Sequence, residues 1–332
     1  MRWTRTPSPS SSPRTRSRCM AGGTIIPFGC GLIQSRDSHG TNSNRRPSMS
    51  PSEIPRYLTA RDIRALATTY GITPSKARGQ NFLFDPNTIR KIVQTSQVAR
   101  GAHVLEVGPG FGSLTLGLLD AGARVTSIEV DERLVTATRE VVADRFPDAP
   151  CEVVHADALH LSEVPSGITH LVANLPYNVA VPVVLHLLTL HPGFSRVLVM
   201  VQAEVGYRLA ARAGTKEYGA PSVKAAWWGE WSVEATVSRK VFWPEPRVDS
   251  VLVGMRATAS PGDDSLRESV FSLVDQGFGN RRKMARQAFA ERFGGAENSA
   301  LVIEDAGLEP TSRCETWTLA DFVRLSESAR RR

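Results

Sequence analysis

His103-Val104-Leu105-Glu106-Val107-Gly108-Pro109-Gly110-Phe111-Gly112-Ser113 decides the architecture of this chain. A short apolar run carries a carboxylate and breaks into three alternating glycines, and helical periodicity then begins over Ser113–Leu119. A strand that passes through a glycine turn into a helix is the first half of a βαβ unit. The alternation continues outward. Arg124–Glu129 reads as a strand, Glu132–Ala143 as a helix and Cys151–His155 as a short strand. Ile168–Ala173 reads as a strand, Val181–Leu190 as a helix and Arg196–Gln202 as a strand. Strands separated by helical periods predict an α/β fold with a doubly wound, mainly parallel sheet. Trp228–Val237 and Ser250–Arg256 are Val-rich alternating runs, expected to complete the sheet as a hairpin-like edge.

Helices flank this core. Thr59–Tyr70 has Thr59 as N-cap, Asp62 three residues on and Gly71 past its end. Gly79-Gln80-Asn81-Phe82-Leu83 reads as a loop, and Asp85-Pro86 opens a helix toward Val98. Beyond about Ala259 strands cease. Ser265–Phe278, Arg281–Phe293 and Thr318–Ser328 read as helices, the last with Thr318 as N-cap. The expected organisation is an extension over 1–50, an α/β domain over 51–258 and a small helical domain over 259–332.

Residues 1–50 are rich in Ser, Pro, Arg and Gly without periodicity, a composition that cannot bury enough apolar surface to fold. They read as a disordered arm that touches RNA, as an organellar transit peptide, or as the product of a start codon upstream of Met49. A dispensable arm or an upstream start is the preferred reading. The formal net charge of +7 resides there, since this stretch holds eight Arg, no Lys and one Asp, and residues 51–332 are balanced. The basic balance therefore does not by itself argue for a nucleic-acid partner. No apolar run approaches the roughly 18 residues of a membrane helix. Cys19, Cys30, Cys151 and Cys314 have no metal-ligand or CxxC spacing, so unpaired thiols in a reducing compartment and no metal are expected. The chain reads as a cytoplasmic monomer.

The glycine turn lets backbone approach a ligand closely. Glu129 ends the next strand about 20 residues on, where a carboxylate can accept from ribose hydroxyls. A GxGxG turn alone also suits a dinucleotide, but Ser113 breaks the GxGxxG pattern and the carboxylate before the first glycine favours S-adenosylmethionine. Asp157, after the third strand, is placed to accept from a cofactor adenine amine, with helix capping as its bland alternative. Asn174-Leu175-Pro176-Tyr177 follows the fourth strand beside the topological switch point. An Asn side-chain oxygen and a nearby backbone carbonyl can accept both hydrogens of an adenine amine, while an aromatic face stacks on the ring. Phe242, in the Pro-rich stretch Phe242–Ser250, is a candidate second wall for that base. Arg281, Arg282, Lys283 and Arg286 read as a basic helix start, with Arg282 and Arg286 on one face, suited to phosphates or simply solvated.

Together these residues resemble the ribosomal small-subunit RNA adenine dimethyltransferases, the KsgA/RsmA family. The matching pieces run in the family's order: Gly79–Leu83, Glu106–Gly112, Glu129, Asp157, Asn174–Tyr177, Glu204-Val205, Tyr218-Gly219, Pro246–Ser250 and Arg281–Lys283. The resemblance implies a Rossmann-like methyltransferase domain followed by a small helical domain. It implies that Asn81, Leu83, Gly108, Glu129, Asp157 and Asn174 line the S-adenosylmethionine site, and that Asn174, Pro176 and Tyr177 hold the target adenine. The implied activity is dimethylation of N6 on two adjacent adenosines in the 3′-terminal hairpin of 16S rRNA, late in small-subunit assembly. Arg78, Ala203 and Ala220-Pro221 depart from the family's usual residues at positions that bear on RNA docking. Two other readings stay open: a macrolide-resistance type methyltransferase acting on 23S rRNA, and a non-catalytic RNA- or DNA-binding relative.

Overall fold

The computed structural model describes residues 56–75 and 79–332. The 1–50 extension, Cys19, Cys30 and Arg78 lie outside the described residues. Two helices lead in: α1 (Ala60–Thr69), closed by a Thr59–Asp62 capping box, and α2 (Pro86–Ser96), capped by Asp85 with proline at its start. The alternating core follows as β1 (His103–Val107), α3 (Ser113–Asp120), β2 (Arg124–Glu129), α4 (Glu132–Arg145) and β3 (Cys151–His155). It continues through β4 (His170–Asn174), α5 (Ala180–Leu190), β5 (Arg196–Gln202), α6 (Ala203–Leu209), α7 (Ala220–Ala225), β6 (Gly229–Val237) and β7 (Ser250–Ala257).

The seven strands pair in the order β3-β2-β1-β4-β5-β7-β6. The first five are parallel, and β7 runs antiparallel between β5 and β6. The expected edge hairpin is present, with its second strand inserted beside β5. The order reverses between β1 and β4, which opens a crevice at their carboxyl ends.

Alternation along the strands sorts side chains onto two faces. Val104, Val172, Leu198 and Leu252 pack with Ile63 of α1, Ile89 and Ile92 of α2, Leu116 of α3 and Leu134 of α4. Leu105, Leu171, Val197 and Val251 pack on the other face with Val184 and Leu187 of α5. Near-continuous apolar strands are what helices on both faces of a parallel sheet require.

The C-terminal helices join this second core. They are α8 (Asp264–Gly279), α9 (Ala285–Ala288), α10 (Ala296–Asp305) and α11 (Leu319–Arg331). Val270, Leu273, Ile303, Phe322 and Leu325 belong to the same buried cluster as the sheet residues. The Thr318–Asp321 capping box of α11 is formed as expected.

Two expectations change. The helix expected over Arg281–Phe293 reduces to the four residues of α9, because the amides of Ala285 and Arg286 bond to the carbonyls of Ser312 and Pro310 at 2.8 and 3.0 Å. Arg281–Lys283 therefore form a turn after α8, and Arg282 and Arg286 do not share a helix face. The loop expected at Gly79–Leu83 ends in a short strand, in which Phe82 pairs with Trp243 and Leu83 with Phe242.

Candidate active site

A cavity of about 290 Å³ opens at the carboxyl ends of β1, β2 and β4. Asn81, Leu83, Gly108, Glu129, Asp157, Asn174, Pro176 and Tyr177 all line it. The fold thus gathers into one cleft residues spread over almost a hundred positions.

The glycine turn is constrained by backbone shape and by space. Gly108 and Gly110 have φ of +69° and +61°, a region costly to L residues with a Cβ. A Cβ on Gly110 would also lie 2.8 Å from the Phe82 ring. The Gly110 carbonyl accepts from Thr138 Oγ1 at 2.6 Å, which ties the turn to α4.

Two buried carboxylates face this turn. Glu129 accepts from the amides of Val130 and Asp131 at 2.9 and 3.1 Å through Oε1, and from Gly110 at 3.3 Å through Oε2. Burial raises its pKa, and those three amides oppose the rise. Its Oε2, held only by the longest of these bonds, has capacity left for a ligand hydroxyl. Glu106 is fully buried. Its Oε2 accepts from Thr115 and Ser127 at 2.6 and 2.7 Å, while Oε1 has no partner among the described residues. Burial pushes its carboxyl up to about 7, against the pull of the two hydroxyls.

Asp157 sits in the turn after β3. Its two oxygens accept from the Leu159 amide at 2.9 Å and meet His160 Nδ1 at 3.0 Å. The side chain is still 43% exposed, so it retains acceptor capacity at the cleft wall.

At the end of β4, the Leu175 amide bonds to the Met200 carbonyl at 3.1 Å, so the corner leaves the sheet in a fixed direction. Asn174 Nδ2 donates to the Asn81 carbonyl at 3.2 Å. The amide is thereby oriented with Oδ1 as its remaining acceptor. Gly79 packs against this corner: with φ of +61°, an added Cβ would stand 3.0 Å from the Tyr177 amide nitrogen. The Tyr177 ring lines the cleft while its hydroxyl meets Ser250 Oγ at 2.7 Å.

Other expected residues lie elsewhere. Phe242 is buried, pairs with Leu83 in the short ribbon and is not among the lining residues, so here it backs the wall. Arg281 is engaged with Glu315 at 2.7 Å. Arg282 and Lys283 are exposed without an ion pair among the described residues, and Arg286 is half-buried with an unpartnered Nε. The described residues hold no group of three or more His, Cys, Asp or Glu placed for a metal. No helix among them is long and apolar enough to cross a membrane. Sequence reasoning used the Glu106 carboxylate only as a sign of the cofactor class, without a contact, and assigned no role to Ser250. Both lie in the quoted motifs, which were the available signal.

An S-adenosylmethionine-dependent methyltransferase of the Rossmann-like class is what this sheet order and cleft define. The cofactor is S-adenosylmethionine, and the buried, unpartnered Glu106 Oε1 beside the glycine turn fits a ligand that brings a donor to that point. Residues 74–331 match the family described as ribosomal RNA adenine dimethylase, and the chain belongs to that family. It is 53% identical over 274 residues to the ribosomal RNA small subunit methyltransferase A of Leifsonia xyli, covering 82% of this chain and 98% of that protein. It is 50% identical over 281 residues to the protein of the same name from Thermobifida fusca, covering 84% and 98%. Among solved structures it resembles a dimethyladenosine transferase from Plasmodium falciparum, with a TM-score of 0.64 at 23% identity over 74% of this chain and 95% of that one. It also resembles the 23S rRNA methyltransferase ErmE, with a TM-score of 0.57 at 29% identity over 75% and 99%.

Proposed function

We propose that this protein transfers methyl groups from S-adenosylmethionine to N6 of two adjacent adenosines in the 3′-terminal hairpin of 16S rRNA, during late small-subunit assembly. In the cell it acts as a cytoplasmic monomer. The observation that carries the reading is Asn174, whose amide is oriented by the Asn81 carbonyl so that an acceptor remains at the cofactor cleft.

Glu129, Asp157, Gly108, Asn81 and Leu83 would hold the cofactor, which supplies an electrophilic methyl on a sulfonium. The remaining work is alignment. An adenine N6 lone pair is delocalised into the ring, so the amine is a poor nucleophile. Asn174 Oδ1 and a carbonyl of the Leu175–Pro176 corner accept the amine hydrogens, two in the first transfer and one in the second, and draw the lone pair out of conjugation. The N6 proton that each methyl displaces leaves to solvent. Pro176 keeps the corner stiff, and Tyr177 presents its ring to the base. Close, in-line approach then lowers the barrier by proximity. Phe242 supports the base pocket from behind Leu83. Arg282 and Lys283, with Arg281 and Arg286 beside them, offer cations to RNA phosphates.

The test is methyl transfer from labelled S-adenosylmethionine to unmethylated small subunits, followed by nucleoside digestion. Dimethyladenosine near the 3′ end is the expected product. Label in large-subunit RNA alone would replace this reading with the 23S-directed one, and no label in either would favour a binding factor.

A further inference from the structure

We infer that Ser250 is a positioning residue for methyl transfer, its hydroxyl fixing the angle at which the Tyr177 ring faces the target base. The inference rests on the proposed adenine substrate and adds to it a residue far from the Asn174–Tyr177 motif.

Ser250 is fully buried at the start of β7, and its backbone is held from both sides. It lies opposite Gln202 of β5 and Val237 of β6, and the preceding Asp249 carbonyl accepts from the Ala203 amide at 3.0 Å. Its hydroxyl oxygen is therefore a fixed point in the sheet. Tyr177 is placed differently. It lies beyond the last ladder bond of β4, in a turn closed by the Val179 amide on the Pro176 carbonyl at 3.3 Å. Its ring is set by its own two side-chain torsions and by whatever it touches.

The contact it makes is the 2.7 Å bond to Ser250, across 73 residues of chain. Each hydroxyl satisfies the other. Leaving either unpaired in a buried setting costs about 1–3 kcal/mol, so the pair favours one ring orientation over the alternatives. This also limits what the phenol can do. Its hydroxyl is engaged at the rear of the cleft wall, and burial raises its pKa, so it stays neutral. What remains at the cleft is the ring face. A stacking surface is useful only at the correct angle, since misplacing a reacting base by about 1 Å can cost on the order of 10²-fold in rate.

The experiment is a double-mutant cycle on the full chain with Tyr177→Phe, Ser250→Ala and the pair together. The readouts are methyl transfer to unmethylated small subunits, S-adenosylmethionine binding by calorimetry, and thermal midpoint. Each single variant is expected to lose about tenfold in kcat, with cofactor affinity unchanged. The double variant is expected to lose no more than the worse single, the signature of one shared interaction. In Tyr177→Phe the pH profile of kcat is expected to keep its shape. Wild-type kcat in Ser250→Ala, or losses that multiply in the double, would overturn the inference. So would an altered pH profile in Tyr177→Phe, which would mean that the phenol moves a proton. A thermal shift without a kcat loss would reduce the pair to a fold contact. If the wild-type chain labels no adenosine of the small subunit, the substrate reading falls and the inference falls with it. If the wild type is active, only the variants decide.

Discussion

The cleft at the strand ends and the basic turn after α8 are both irregular backbone, held by different means. Each cleft turn leaves a strand whose last ladder bonds fix its exit. The Gly108 amide bonds to the Ile128 carbonyl at 2.9 Å, Ala156 to Glu129 at 3.0 Å, and Leu175 to Met200 at 3.1 Å. The turn at Asn280–Lys283 closes on itself through the Lys283 amide and the Asn280 carbonyl at 2.8 Å, and its exit is set by Pro310 and Ser312. The cleft is half-buried and carboxylate-lined, while the turn is exposed and cationic. A rigid cleft suits alignment of a small reacting group. An exposed turn suits contact with a charged surface whose attraction tolerates small displacements.

The sharpest way to break this contrast is Asn174→Ala. It removes an acceptor at a corner and little core volume, so secondary structure by circular dichroism should be retained while methyl transfer falls about 10²–10³-fold, by analogy with loss of one preorganised polar contact. Turnover near wild type would remove the corner from the mechanism.

Glu106→Gln should give the next largest effect, on stability. The folded carboxyl is raised to about 7 from an ordinary value near 4.5, so the folded chain holds the proton more tightly than the unfolded chain. That contribution is fully present below about pH 4.5 and is lost as pH rises through about 7. Its full span is on the order of 3 kcal/mol. Denaturation of the unliganded protein at several pH values should show this decline in the wild type and its absence in the glutamine variant. Because the ionised form suits a cationic ligand group, S-adenosylmethionine affinity of the wild type should rise over the same window, and a flat titration would place the cofactor's cations away from Glu106.

Arg282→Ala should give the smallest effect and tests the other region. RNA affinity should drop a few-fold, with the slope of log affinity against log salt reduced by about one. Stability should be unchanged because the side chain is exposed. An unchanged salt slope would leave the turn as a solvated surface.

Much of the cleft was legible from residues alone because its signals are local. The glycine turn, Glu129 and Asn174 lie at strand ends that periodicity locates, and Thr59, Asp85 and Thr318 mark helix starts by capping chemistry. The basic stretch was misread for the opposite reason. Arg281–Phe293 has helical composition throughout, yet the amides at its start bond to a segment more than twenty residues away. The α10 helix, between Gly295 and Gly307, was not anticipated, since no element was assigned between Phe293 and Thr318.

By itself the sequence determined the alternation of strands and helices from β1 to β5, the glycine turn and the kind of ligand the cleft accepts, since periodicity, capping and turn chemistry act within a few residues of chain. Tertiary structure alone decided that Asn81 orients Asn174 across 93 residues, that Ser250 anchors Tyr177 across 73, and that Phe242 pairs with Leu83. Those contacts follow from which strands become neighbours in the sheet, and strand neighbours are fixed by packing both apolar faces at once, which no local pattern records.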